Sequence, residues 1–172
     1  MWNAVEYFKS LNNRLKLTGG KFILCRSTGL GNLEELLDKW QKYQNFTVVD
    51  DSDDGATIRR GGGYFNRRSV IVYILKKYNF KSQQDREEKI NEVRQIYSKF
   101  LSRIIRDSQD IQELAYLDKN RIPYHEVPGY FSVGTTGLYF VITIDEPIDL
   151  QFNNNDWDEQ IVFDSTFDQT FS

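Results

Sequence analysis

Six consecutive residues, Val70-Ile71-Val72-Tyr73-Ile74-Leu75, are apolar without interruption and lie inside a β-prone stretch from Tyr64 to Tyr78. A strand turns successive side chains to opposite faces, so a run with no polar position needs cover on both. Lys76 and Lys77 mark where the strand leaves the core. The chain must fold around this strand and supply the elements that cover it.

Residues 2–16 carry Trp2, Val5, Phe8, Leu11 and Leu15 at three- and four-residue steps, one face of a short helix that Thr18-Gly19-Gly20 ends. Phe22-Ile23-Leu24-Cys25 reads as a buried strand. Asn32, with Glu35 three positions on, makes a capping-box-like start to a second helix whose buried face is Leu33, Leu36, Leu37 and Trp40. Phe46-Thr47-Val48-Val49 reads as a strand. The segment Asp50–Gly55 breaks it, and Arg59-Arg60-Gly61-Gly62-Gly63 extends the break into a long loop.

Ser82 with Asp85 opens a long helix to about Arg106, carrying Ile90, Val93, Tyr97, Phe100, Leu101 and Ile104 at helical spacing. A shorter helical piece holds Ile111, Leu114 and Leu117. Pro123 and Pro128 bend the approach to a hairpin, in which Tyr130–Val133 and Leu138–Ile144 flank Gly134-Thr135-Thr136-Gly137. Pro147 stops the second strand. The expected fold is α+β, a mostly antiparallel sheet packed by one long helix and one or two shorter ones. It spans residues 1–147, and an extended C-terminal arm follows over 148–172.

The length of 172 residues suits one domain, and a hydrophobic fraction of 40% is far from that of a disordered chain. No apolar run approaches the ~18 residues of a membrane span, so no membrane association is expected. Met1–Glu6 lacks the basic-then-apolar pattern of a signal peptide, and none is expected. Cys25 is the only cysteine, which excludes an intrachain disulfide and any site needing several thiolates from one chain.

The net charge of −3 conceals two opposed halves. The first 144 residues hold all 22 Lys and Arg against 17 acids, a balance of +5. From Asp145 onward there are eight acids and no base: Asp145, Glu146, Asp149, Asp156, Asp158, Glu159, Asp164 and Asp168. Two readings fit this end, a solvated acidic tail and an arm that pairs with the basic body of another subunit. Residues 148–172 also carry Phe152, Trp157, Ile161, Phe163, Phe167 and Phe171, large apolar groups poorly suited to open water.

The signatures of catalysis fail one after another. His125, the only histidine, lies between two prolines on an expected loop and reads as a surface or packing residue rather than the base of a triad. Cys25 sits in an apolar strand, where burial opposes thiolate formation. Asp50, Ser52, Asp54 and Gly55 match the start of a calcium loop, but the position of the bidentate glutamate falls on Gly61, so a turn is expected. Gly61-Gly62-Gly63 precedes a strand, where a phosphate loop would follow one, and Gly29-Leu30-Gly31 lacks the third glycine of a dinucleotide fingerprint. No cofactor and no metal are expected.

The residues that stand out are Arg59, Arg60, Arg67 and Arg68, which flank a glycine turn and suit a phosphate or carboxylate partner. Tyr64 and Phe65 offer stacking surfaces beside them, so a small nucleic-acid-binding accessory protein is one reading. The acidic end repels nucleic acid, which places protein contact ahead of DNA contact.

The order of elements is helix, strand, helix, strand, glycine-arginine loop, long strand, long helix and hairpin. Over roughly 1–147 it resembles the small tail-terminator or tail-completion proteins of tailed bacteriophages. The likeness rests most on Arg67-Arg68-Ser69-Val70-Ile71-Val72-Tyr73-Ile74-Leu75-Lys76-Lys77-Tyr78, the helix Asp85–Arg106 and the closing hairpin. In wording, the chain is similar to connector-ring proteins of phages of gut Bacteroidetes, including the crAss-like group.

The resemblance implies a virion structural protein, made in the host cytoplasm and placed in the phage neck or tail. It implies a homo-oligomeric ring of six or twelve subunits, stacked between portal or adaptor and tail components, with DNA passing through the lumen and no enzyme activity. Arg59, Arg60, Arg67 and Arg68 are then candidate subunit or lumen contacts. Phe152, Trp157, Phe163 and Phe167 are candidate anchors of the arm, which lies beyond the family's minimal pattern.

Overall fold

The structure, a computed structural model, describes residues 2–40, 42–51, 55–131 and 134–156. It is an α+β fold. Three helices, α1 (Ala4–Arg14), α2 (Leu30–Lys39) and α3 (Gln83–Asp110), pack on one sheet. The strands are β1 (Ile23–Ser27), β2 (Asn45–Asp50), β3 (Gly55–Arg60), β4 (Gly63–Lys77), β5 (Tyr124–Phe131) and β6 (Thr135–Ile148). Their order is β1-β2-β4-β6-β5, with β3 also paired to β4. Every pairing is antiparallel except β1 with β2, which α2 links as a crossover. No helix among the described residues is long and apolar enough to cross a membrane.

The apolar run in β4 is divided by parity. Val70, Val72 and Ile74 join a core with Phe8 and Leu11 of α1 and Val93, Ile96, Phe100 and Ile104 of α3. Ile71, Tyr73 and Leu75 face the other way, into a smaller core with Leu33 and Leu37 of α2 and Cys25, Phe46 and Val48. Two-sided cover is thus why the strand has no polar position.

Beside β4 runs β6, paired from Tyr64 with Ile148 to Lys77 with Thr135. Gly137 lets the two backbones close up: a Cβ there would run into the Ile74 carbonyl oxygen. Polar ties lock the helices in place. The Tyr7 hydroxyl donates to Asp107 at 2.8 Å, and buried Thr47 donates to Asn12 at 3.0 Å. The Tyr7 hydroxyl is held well above its ordinary pKa by burial, and further by the hydrogen bond to Asp107 and its charge.

Several sequence expectations need correction. Asn32 does not cap α2; the helix starts at Leu30, with Gly29 as the flanking residue at φ 97°. That end is tied down by tertiary structure instead, since the Gly29 amide donates to the Asp50 carboxylate at 2.9 Å. Ser82 does cap α3, its hydroxyl accepting from the Asp85 amide at 3.1 Å, and the helix runs past Arg106 to Asp110.

His125 is not on a loop. It belongs to β5, which begins at Tyr124 and accommodates Pro128 because an edge strand can bulge; the register shifts between Val127 and Phe131. Nor does Pro147 stop β6, which continues to Ile148. The Asp145 amide points away from β4, to the Tyr116 carbonyl, and Pro147 shares that parity. Its missing N–H therefore costs the β4 ladder nothing. Ser132 and Val133 lie outside the described residues.

Candidate functional site

The segment expected to be a long glycine-arginine loop is a β-hairpin. Arg59 and Arg60 close β3, Arg67 and Arg68 lie in β4, and the two strands turn at Gly61-Gly62. Both turn residues have positive φ, 57° and 89°, the conformation a two-residue hairpin turn demands. The spacing of two glycines between extended runs was the signal for it.

β3 continues the line of β2 along the same side of β4. Asp50 pairs with Ile71 and Gly55 with Arg68, so five steps along β2–β3 match three along β4. The hairpin and the end of β6 make a three-stranded extension whose residues, apart from Ile144 and Asp145, are exposed or half-buried, unlike the core half of β4.

The arginines on this extension already have partners. Arg67 sits directly across from Asp145 and grips it with two hydrogen bonds, Nε to Oδ1 at 2.8 Å and Nη2 to Oδ2 at 2.9 Å. Arg60 approaches the same carboxylate at 3.7 Å. Asp145 is only 4% exposed, bordered by Tyr116, whose ring lies 5.3 Å from that of Phe65. The hydrogen bond and charge of Asp145 raise the already high pKa of Arg67.

On the opposite face Arg68 pairs with Glu146 at 3.3 Å, and Glu146 also accepts from the Trp2 amide at 3.0 Å. Arg59 lies over the Tyr64 ring, 5.9 Å from its centroid. Three of the four arginines thus meet acids of their own chain. The pairing of basic body with acidic end, expected between subunits, is intramolecular for Asp145 and Glu146.

Beside this cluster is an open groove of about 430 Å³ bordered by Trp2, Asn66, Tyr116, Asp145, Glu146 and Pro147. Asp145 and Glu146 on its border are already neutralised by Arg67, Arg60 and Arg68. Past β6, residues 149–156 run exposed to a single helical turn at Asn154–Asp156, and Phe152 is 71% exposed. Trp157, Phe163 and Phe167 lie outside the described residues.

Residues weighed for catalysis are otherwise engaged. The exposed His125 ring stacks on Tyr139, 5.2 Å between centroids and 27° between planes. Cys25 is buried in β1, and burial pushes its thiol pKa up. Asp50 is buried at the start of α2, while Ser52 and Asp54 of the calcium-like pattern lie outside the described residues. Among the described residues no three His, Cys, Asp or Glu side chains gather as a metal site. No protein-family model matches the chain, and no curated protein matches it.

Proposed function

We propose that this chain is a virion structural protein that forms a ring in the head–tail connector of a tailed phage, joining portal or adaptor to tail components. The observation that carries the reading is the three-stranded extension. It prolongs β4 and β6 beyond the core, leaves the outer edge of β3 unpaired among the described residues, and holds its own charges in fixed cross-strand pairs. A core does not need such a structure; a subunit that presents backbone edges and rigid surface to a neighbour does. The exposed Leu150 beyond β6 adds apolar surface of the same use.

The DNA-binding alternative is weaker on physical grounds. Arg60, Arg67 and Arg68 spend charge on Asp145 and Glu146, and a phosphate backbone would meet those carboxylates with the guanidinium groups. The proposal takes the protein as non-enzymatic.

The test is the size and shape of the purified chain, by light scattering on gel filtration and negative-stain microscopy, with and without portal and adaptor proteins. Closed rings, alone or on a portal, are expected. A monomer that ignores every connector protein would overturn the reading and make DNA binding through Arg59 the next measurement.

A further inference from the structure

A second groove lies on the far side of the sheet from α2, where the end of α1 meets the middle of α3. Its floor is Leu11, Leu15 and Phe100, and its rim is Arg14, Lys99 and Arg103, enclosing about 230 Å³. That is below the ~300–1,000 Å³ of a small-molecule cavity, and it suits inserted side chains better than a free ligand. Arg103 is shared with Asp107 at 2.8 Å. Among the described residues Arg14 and Lys99 have no acidic partner. An apolar floor under unpaired cations calls for a segment that is apolar and acidic together.

The chain carries one such segment. Residues 157–172 contain Asp158, Glu159, Asp164 and Asp168 and no base. Within them Phe163, Phe167 and Phe171 recur every fourth residue, and Asp164 and Asp168 each follow a Phe. That spacing matches one side of a helix, the pattern by which an amphipathic segment lays anchors into a groove between two helices.

The reach is sufficient. β6 ends beside the start of α1, because Glu146 binds the Trp2 amide, and the 11 residues of α1 span only about 16 Å to the groove. Fourteen residues, 149–162, separate the end of β6 from Phe163, and the last six of them alone extend to ~20 Å. A tethered segment is also present at an effective concentration in the millimolar range, which favours its own groove over that of a second molecule.

We infer that the groove between α1 and α3 is the docking site of the chain's own C-terminal segment, residues 157–172, with phenylalanines on Leu11, Leu15 and Phe100 and acids toward Arg14 and Lys99. The inference stands on the groove and the segment and does not need the ring.

The full-length chain carrying a photocrosslinker, Phe167→p-benzoylphenylalanine, tests it. Equal amounts of unlabelled and nitrogen-15-labelled protein are mixed, irradiated, digested and mapped by mass spectrometry. Crosslinks to residues 11–15 or 99–103 are expected within single molecules, light to light and heavy to heavy. Adding Arg14→Glu and Lys99→Glu should lower their yield at least fivefold, in protein whose circular dichroism is unchanged. Crosslinks to other surfaces, none at all, mixed light–heavy products, or a yield indifferent to charge reversal would each overturn the assignment. A monomer with the expected crosslinks would fail the ring reading alone, and a ring with crosslinks elsewhere would fail this one alone.

Discussion

The most consequential side chain is Asp145, an almost buried carboxylate whose two oxygens are both committed to Arg67. Arg67→Ala strands it with only the longer Arg60 contact, so urea unfolding should show a loss of about 1–3 kcal/mol, the cost of a buried acceptor without its donor. Asp145→Asn added to Arg67→Ala should recover part of that loss, and an additive double mutant would refute the coupling. Glu92 makes a different prediction. Burial pushes its carboxyl up, but hydrogen bonds and charges from Lys76 and Lys89 outweigh burial and hold it below the ordinary value. A depressed folded pKa means that the unfolded chain takes up the proton first. This contribution is therefore complete above the ordinary carboxyl pKa of ~4.3 and drains away as pH falls through that value and below. Thermal melts at graded acidic pH should show a shallower decline for Glu92→Gln than for the parent. Cys25, buried with its thiol pKa raised, should resist a thiol reagent in the native protein and react on unfolding.

Elements were legible in proportion to the regularity of their burial. α3 has helical periodicity and its own Ser82 cap, so its start could be read to the residue. Ser82→Ala should lower stability by about 1 kcal/mol in urea unfolding. β4 was legible because both its faces are covered. β3 was not, because its residues are exposed or half-buried and no apolar alternation marks it; only the Gly61-Gly62 spacing pointed to a hairpin. The start of α2 was misread because its restraint comes from Asp50, on another strand, rather than from a local cap. The four arginines were visible as a cluster, yet their partners were not. Arg67 and Asp145 are 78 residues apart, and only the β4–β6 register brings them together. Gly137 belongs to that register too. Gly137→Ala would press a methyl group into the Ile74 carbonyl, and a loss of roughly 3 kcal/mol is expected by denaturant unfolding.

At the scale of the whole molecule, the charge division seen in the sequence is partly resolved inside the chain, and this changes what assembly should respond to. Asp145 and Glu146 are spent within the subunit, and the inferred docking engages the later acids there too, so any ring should depend little on salt. Neutralising Asp158, Glu159, Asp164 and Asp168 together should lower the Phe167 crosslink yield in the groove, whereas Arg59→Ala should leave that yield unchanged. The division of β4 into two apolar faces carries a less obvious consequence. If this strand slid by one position against its neighbours, Val72 and Tyr73 would trade sides, and every side chain in the run would still land in oil. Greasiness therefore cannot tell the chain where to stop sliding. That instruction must come from places where a slip is noticed: the notch at Gly137, which fits one carbonyl, and the clasp of Arg67 on Asp145, which opens after a single step. The extension thus acts as the vernier by which the strand finds its alignment.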